Sequence, residues 1–309
     1  MTKPITSVAV MILYERGLIQ LLDPVSKYIP AFANQKVVDA HCGVVPAKSE
    51  VTIQQCLNMT SGMVYPSPDH IAGRYLQEVS DEVKKQIHAG RQISTLKLCE
   101  MIAGSPLAFH PGEQWFYSVS ADVLGGVVEA VSGMRYGEFL KKEVFEPLEM
   151  IDTGYYADLG EREKRLATMY TWRKEKGQLK EAEVETLEDF NCFVATGNTP
   201  FEGGGSGLCS TMEDYSHFAG MLLNNGYYKG KQLISRKTID YMTTNQLEPH
   251  QRETIWFDGI KGYTYSNLLR ILDDKGAGVT NGSYCEFGWD GLPGNYFLVD
   301  PEEDLIMLY

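Results

Sequence analysis

The sequence has little positive charge for its length. Its 309 residues carry 28 Lys and Arg against 41 Asp and Glu, which gives a formal net charge of −13. A protein that binds nucleic acid through the phosphate backbone needs a basic face, so this balance argues against such a partner. A strongly anionic substrate is disfavoured for the same reason, although a local pocket can differ from the global charge.

Long hydrophobic runs are also missing. No apolar stretch reaches the roughly 18 residues of a membrane-spanning helix, and the densest one covers only residues 8–14. The small-residue cleavage site of a signal peptide is absent as well. We therefore expect no membrane span and favour the cytoplasm, with a signal peptide left open if residues precede Met1.

The cysteines are not clustered. They are widely spaced, with no CxxC pair and no Cys/His group of the kind that binds zinc. The six are Cys42, Cys56, Cys99, Cys192, Cys209 and Cys285. We expect reduced thiols in the core, and neither a metal nor another cofactor.

The composition is that of an ordinary globular protein, and it begins with a strong helix signal. Hydrophobic residues make up 43% of the chain and charged residues 22%, which is enough to bury a core. Pro4 suits the first turn of a helix, and Gly17 suits its end. Residues 8–13 between them leave almost no polar face. This helix is therefore expected at the centre of the fold.

Two segments in the first third of the chain predict further helices. Residues 51–63 indicate a short helix that ends at Ser61–Gly62. Residues 68–102 combine mixed charge with helical spacing, which is typical of surface helices.

Two later segments have clear start or stop signals. An apolar stripe that follows Ser120 predicts a helix that stops at Gly133. Another helix is predicted to start at Ser210, because Ser210 and Glu213 fit a capping box.

The end of the chain changes to a strand pattern. Residues 151–200 are polar and irregular, which predicts loops and short strands. Residues 295–300 and 305–309 are predicted as two strands joined by a tight turn. Helices followed by antiparallel strands indicate a mixed α/β fold of the α+β type. We expect a single domain over residues 1–309, in three parts. They are a helical part at about 20–150, the irregular part at 151–200 and a sheet-forming part at 255–309.

Four short stretches stand out as candidates for chemistry: MTKP at the start, FHPGEQWFYSVSADVLG at 109–125, FEGGGSGLCST at 201–211 and FGWDGLPGNYFLVDPEEDL at 287–305. The glycine cluster lacks the spacing of a phosphate or dinucleotide loop, so a packed turn before a helix is the default interpretation. Together with LNMTSGM at 57–63, the four stretches resemble the serine β-lactamase-like hydrolases in order and rough spacing. That family includes class C β-lactamases, D,D-peptidases and related esterases. The resemblance implies an antiparallel sheet flanked by helices, a mostly helical second region and a cleft between them.

The first motif of that family is Ser-x-x-Lys at the start of a buried helix. Lys3 matches the lysine, and the matching serine would stand immediately before Met1. A helix N-terminus stabilises negative charge and residues three apart share a face, so the lysine can take the serine's proton. The family also has elements before this motif and after the last strands. We therefore expect a chain incomplete at both ends rather than an evolved inactive protein.

The second and third motifs of the family supply the remaining candidate residues. Tyr117 matches the tyrosine that shuttles a proton with the lysine, and Val119 replaces an asparagine that would bind a lactam side chain. Trp289 stands where many β-lactamases have the lysine that holds a substrate carboxylate, which suits a neutral ester.

The residues that follow Trp289 complete the third motif. The resemblance implies that Gly291 lets the strand approach the substrate, and that the Leu292 N–H joins that of the serine in an oxyanion hole. Asp290 is expected on the solvent side of its strand, with an amine-bearing substrate as the alternative.

Three functions remain open at this point. The first is an esterase-type serine hydrolase that acts through an acyl-enzyme on a small-molecule ester or amide, with no cofactor. The second is a non-catalytic binding homologue or inactive fragment, and the residue before Met1 separates it from the first. The third, a β-lactamase or D,D-peptidase, is disfavoured by Val119 and Trp289. The sequence leaves the oligomeric state open.

Overall fold

A computed structural model describes residues 1–39, 41, 43–155, 159–173, 176–181, 201–278 and 280–309. In these ranges the helices are α1 (Thr2–Glu15), α2 (Ile53–Leu57), α3 (Ile71–His88), α4 (Thr95–Ala103), α5 (Ser120–Ser132), α6 (Tyr136–Leu140), α7 (Met212–Leu223), α8 (Arg236–Met242) and α9 (Pro249–Arg252). The strands are β1 (Lys36–Asp39), β2 (Gly43–Pro46), β3 (Gly154–Tyr155), β4 (Tyr170–Arg173), β5 (Gln178–Glu181), β6 (Leu208–Cys209), β7 (Tyr227–Tyr228), β8 (Lys231–Gln232), β9 (Tyr263–Ser266), β10 (Leu269–Leu272), β11 (Phe287–Asp290), β12 (Tyr296–Asp300) and β13 (Leu305–Leu308).

Helix α1 lies at the centre of the helical part, as predicted. Every residue from Thr2 to Leu13 is buried, and the helix packs against α5. Pro4 lies in the first turn, where its missing N–H has no helical partner to lose. Gly17 has a φ of +69°, a conformation that glycine adopts without strain and that ends the helix. Within the described ranges, none of the helices combines the length and apolar character needed to cross a membrane.

The predicted helix boundaries are partly correct. Helix α5 begins at Ser120 and ends before Gly133, whose φ is +67°, so that prediction is confirmed. Helix α2 ends at Leu57, which is earlier than the predicted Ser61–Gly62. The physical reason is local, because Met59 takes the left-handed conformation at a φ of +56° and turns the chain.

The predicted capping box at Ser210 is wrong by one residue. Thr211 caps α7, and its hydroxyl accepts the Asp214 N–H at 3.1 Å. The Ser210 hydroxyl instead lies 2.7 Å from that of Thr153. Both residues are good caps, and the tertiary contact of Ser210 decides between them.

The surface helices predicted within residues 68–102 are α3 and α4. Helix α4 is not confined to the surface, since it buries Leu98 and Cys99 and packs closely on α5. Gly126 of α5 makes this contact possible, because a Cβ there would lie 2.4 Å from the Cys99 sulfur.

The sheet is an antiparallel meander in the order β13-β12-β11-β10-β9. Its last two strands pair in register, with Val299 opposite Ile306, so the predicted terminal hairpin is confirmed. Helix α7 covers this end of the sheet, and the rings of Tyr215 and Phe297 meet edge to face at 5.2 Å. Helices packed against an antiparallel sheet are the predicted fold class.

The irregular part predicted at residues 151–200 is described only in pieces. They contain strand β3, which pairs with β6, and the hairpin of β4 and β5. Residues 156–158, 174–175 and 182–200 lie outside the described residues. The described pieces contain the predicted short strands, and Gly160–Arg165 forms a 3-10 helix that the prediction did not include.

The predicted core thiols are confirmed for three cysteines. Cys56, Cys99 and Cys209 are buried and free, whereas Cys285 is free and exposed. The expectation is therefore wrong for Cys285, whose left-handed backbone, at a φ of +66°, places it in a turn before β11. Cys42 and Cys192 lie outside the described residues.

Candidate functional site

A cavity of about 620 Å³ opens at the N-terminus of α1, beside the end of β11. Six of the sequence-predicted site residues line it: Lys3, Tyr117, Trp289, Asp290, Gly291 and Leu292. They come from three distant parts of the chain, so the fold brings the predicted motifs together at one place.

Lys3 is buried at the floor of the cavity, in the first turn of α1. Its side chain is held from two sides. The ammonium donates a hydrogen bond to the Gly205 carbonyl at 2.8 Å, and it lies 4.6 Å from the centre of the Tyr117 ring. A solvent-exposed lysine would have no such fixed position. The amine is therefore directed into the cavity at the end of the helix that stabilises negative charge.

The glycine segment at residues 203–205 forms the wall that faces Lys3. A Cβ at Gly204 would lie 2.0 Å from the Ala121 carbonyl oxygen, and one at Gly205 would lie 2.7 Å from the Asp122 carboxylate. Only glycine permits this approach to α5. The Gly204 carbonyl also accepts a hydrogen bond from Thr6 at 2.6 Å. The default sequence interpretation, a packed turn before a helix, missed that the segment positions the lysine.

Asp122 is a buried carboxylate that the sequence analysis missed. It accepts the Gly205 N–H at 2.8 Å from the first turn of α5. Burial raises the pKa of this carboxyl, while the charge of Lys3 and the Gly205 N–H act in the opposite direction. An acidic residue in the otherwise uncharged first turns of α5 is the signal that could have identified it.

Tyr117 is held by aromatic neighbours and by one hydrogen bond. Its hydroxyl accepts the indole N–H of Trp289 at 3.2 Å. The rings of Tyr65, Phe257 and Trp289 lie between 5.4 and 5.5 Å from its own. Because the oxygen accepts from Trp289, the phenol proton remains free to be donated elsewhere.

Tyr65 also lines the cavity, and the sequence analysis did not identify it. Burial raises the pKa of its phenol well above the usual value. Its only sequence signal is its place two residues after the LNMTSGM stretch.

The turn after β11 presents a free backbone N–H. Gly291 donates its own N–H to the Asn295 carbonyl at 2.7 Å. A Cβ at Gly291 would lie 1.9 Å from the Asn295 side chain, which would have to move to make room. Within the described part of the chain, the Leu292 N–H has no hydrogen-bond acceptor. An oxyanion could bind it without displacing another partner.

Asp290 lies on the solvent side of β11 and its charge is paired. Its side chain is 55% exposed, and the carboxylate binds the buried guanidinium of Arg270 at 2.5 Å. The Arg270 guanidinium also lies 4.5 Å from the centre of the Tyr296 ring. This pairing weakens the repulsion that a free carboxylate would exert on a developing negative charge.

Val119 is placed differently from the other six predicted residues. It precedes α5 as its N-cap residue, with its side chain fully buried. It is not among the described residues that line the cavity. Val119 lies two residues after Tyr117. Its backbone N–H bonds to the Val64 carbonyl, and its side chain packs in the core. The structure therefore does not bring Val119 to the substrate space.

The cavity offers proton transfer and oxyanion binding. A buried amine, a phenol and a free N–H converge at the start of a buried helix. In the described ranges, no three His, Cys, Asp or Glu side chains come together as metal ligands would.

The chain is similar in sequence and in fold to known proteins. The Beta-lactamase family model matches residues 1–309. An uncharacterized protein of Mycobacterium tuberculosis is 28% identical over 320 residues, which cover 100% of this chain and 75% of that protein. Esterase EstB of Burkholderia gladioli is 26% identical over 311 residues, or 97% of this chain and 72% of that one. Simvastatin synthase (LovD) of Aspergillus terreus shares the fold, with a TM-score of 0.77 at 20% identity over 99% of this chain and 76% of that one.

Proposed function

Because the chain belongs to the Beta-lactamase family, a family of serine hydrolases, we propose that it is an esterase-type hydrolase that acts through an acyl-enzyme. The observation that carries the proposal is the convergence of Lys3, Tyr117 and Trp289 at the N-terminus of a buried helix. The similarity to an esterase over nearly the whole chain supports the same reaction.

The nucleophile of the proposed reaction is a serine at the position immediately before Met1. Met1 and Lys3 both line the cavity, so a residue joined to the backbone nitrogen of Met1 would begin next to it. In its neutral form Lys3 takes the proton of the serine hydroxyl as the oxygen attacks the ester carbonyl. Tyr117 gives its phenol proton to the leaving alcohol and regains one from the Lys3 ammonium, which restores the neutral amine. Water then attacks the acyl-enzyme, gives up a proton by the same route, and the serine oxygen leaves reprotonated as the acid is released.

The tetrahedral intermediates of this reaction carry a negative charge on oxygen. The free N–H of Leu292, together with the serine's own N–H, would stabilise it. The N-terminus of α1 adds a favourable dipole. Loss of one such donor costs about 100- to 1,000-fold in turnover in comparable sites.

The substrate of the proposed reaction is a neutral ester rather than a β-lactam. Trp289 lies where a lysine would hold a substrate carboxylate, and its indole N–H is already used by Tyr117. Val119 provides no amide for a lactam side chain, and it does not line the cavity.

The test compares two chains that carry either serine or alanine immediately before Met1. We expect the serine chain to hydrolyse p-nitrophenyl acetate and to gain one fluorophosphonate adduct on that serine by intact mass and peptide mapping. In the serine chain, Lys3→Met should lower turnover by about 100- to 10,000-fold because it removes the general base. Lys141→Met changes an exposed lysine and serves as the matched control.

Equal hydrolysis by the serine and alanine chains, with no adduct on either, would contradict the proposal. The cavity would then belong to a binding homologue.

A further inference from the structure

One part of the cavity wall is aromatic. Tyr65, Tyr117, Phe257 and Trp289 form a continuous set of ring contacts, with centroids 5.4 to 6.4 Å apart. Such rings fix each other's orientation and present an apolar surface with few rotatable bonds. These four rings can pack against a hydrocarbon group, and they offer little to solvate a charge.

Charged side chains contribute little to the same wall. Among the described residues that line it, Lys3 and Asp290 are the charged ones. Lys3 donates to the Gly205 carbonyl and Asp290 binds Arg270, so both have a partner within the protein. A charged tail on a substrate would lose its hydration here without gaining a free counter-charge.

Apolar side chains continue from the cavity to the solvent. Leu292 is 74% exposed and Leu166 is 37% exposed, and both line the cavity. Trp256, 54% exposed, stacks on Phe257 at 4.0 Å. Together these three side chains define the rim. Trp256 does not line the cavity itself and joins the rim through its contact with Phe257. Exposed apolar groups at the mouth of a cavity are typical of a ligand-binding surface.

The volume of the cavity also indicates how large the acyl group is. Its volume of about 620 Å³ lies within the range of sites for ligands of drug size. An acetyl group would leave most of it without contacts, and the wall would forfeit the dispersion energy of those contacts.

From the aromatic wall, the paired charges and the apolar rim, we propose that the acyl group of the substrate is a long, uncharged hydrocarbon chain that extends from the cavity across the rim. This inference names the substrate class and rests on the proposed function.

The first test measures binding without turnover on the full chain. Neutral alkanamides from acetamide to octanamide are titrated and followed by calorimetry. Each methylene removed from water should increase the affinity by about four-fold. Octanamide should therefore bind on the order of 100-fold more tightly than butanamide. The same affinity for all members, or tighter binding of a carboxylate-tailed amide of equal length, would overturn the inference.

The second test asks whether the rim makes these contacts. Leu166→Ser should weaken octanamide binding by about ten-fold, since it removes most of one leucine's apolar contact. Leu22 is 73% exposed and does not line the cavity, so Leu22→Ser is the matched control and should leave the affinity unchanged. Equal effects of the two variants would overturn the role of the rim.

The alkanamide binding series and the esterase test can each fail while the other succeeds, and each failure rejects a different proposal. The alkanamides need no nucleophile, so a flat series in a chain that still hydrolyses p-nitrophenyl acetate would reject only the substrate class. A steep series in a chain without turnover would reject only the esterase reaction.

Discussion

Tyr117 and Tyr65 are neighbours with different surroundings, and the contrast defines what each hydroxyl can do. Their ring centres are 5.5 Å apart and both line the cavity. Tyr117 accepts a hydrogen bond from Trp289 and lies under the Lys3 amine. Tyr65 is a phenol whose pKa is raised by burial, which favours its neutral form. Only Tyr117 combines a fixed oxygen with a neighbouring base.

We expect Tyr117→Phe to reduce ester turnover by about 100- to 10,000-fold in a chain that carries the serine before Met1, since a general acid–base group is removed. The fold should survive, because the ring contacts remain. Steady-state kinetics and a thermal unfolding scan check both points.

Tyr65→Phe is the matched control for that prediction. It should stay within about ten-fold of the parent turnover. A loss as large as that of Tyr117→Phe would show that the two hydroxyls act together, and an unchanged Tyr117→Phe would remove Tyr117 from the mechanism.

At the scale of elements, the site depends on how closely the glycine segment 203–205 packs on α5. The contact holds the Gly205 carbonyl over Lys3 and the Gly205 N–H on Asp122. Neither contact is available if a side chain separates the segment from the helix. The position of the lysine is therefore set by backbone packing as much as by its own helix.

Gly204→Ala should destabilise the protein by about 1–3 kcal/mol, because its Cβ would lie 2.0 Å from the backbone oxygen of Ala121. Gly220→Ala is the matched glycine change within α7. Its Cβ would meet only Ile306, at 3.9 Å, and we expect a stabilisation of about 0.5–1 kcal/mol from the lower helix cost of alanine.

Urea unfolding followed by circular dichroism measures both glycine variants. If the two variants shift the midpoint in the same direction, close packing of the glycine segment is not what requires glycine there.

At the scale of the whole molecule, burial of weak acids couples folding to alkaline pH. Burial raises the pKa of the phenols of Tyr136, Tyr215 and Tyr265 and of the thiols of Cys56 and Cys99. In the unfolded chain the pKa values of these groups are about 10.0 for tyrosine and 9.0 for cysteine. The folded pKa is the higher one, so this stabilising contribution is complete below pH 9 and is lost as pH rises.

We therefore expect the free energy of unfolding to fall steadily from about pH 9 upward, measured by urea titration at several pH values. Tyr265→Phe should flatten that decline, since the Tyr265 hydroxyl is buried and has no hydrogen-bond partner among the described residues. At neutral pH the same change should cost little.

Tyr227→Phe is the control for the alkaline decline, because Tyr227 is 48% exposed. It should leave the slope of stability against pH unchanged. A free energy of unfolding that is constant from pH 9 to pH 11 would contradict the prediction.

The sequence by itself determined the features that depend on a few neighbouring residues. Pro4 and Gly17 bounded the first helix, and Gly133 stopped α5, because proline and glycine restrict or free the backbone wherever they occur. Two short apolar runs separated by PEED at residues 301–304 predicted the terminal hairpin. The motifs around Lys3, Tyr117 and Trp289 identified cavity residues through their resemblance to the motifs of the serine β-lactamase-like hydrolases.

Only the tertiary structure decided which groups meet across the chain. Lys3 and Gly205 are 202 positions apart, and Asp122 and Gly205 are 83 apart. No local rule selects such pairs, because they form when helices and loops pack together and bury polar groups that must then find partners. The same reason explains why Thr211 rather than Ser210 caps α7, and why Val119 points into the core. At these positions the local propensities were equal or gave no preference. The packing of the folded chain supplied the difference in free energy between the alternatives.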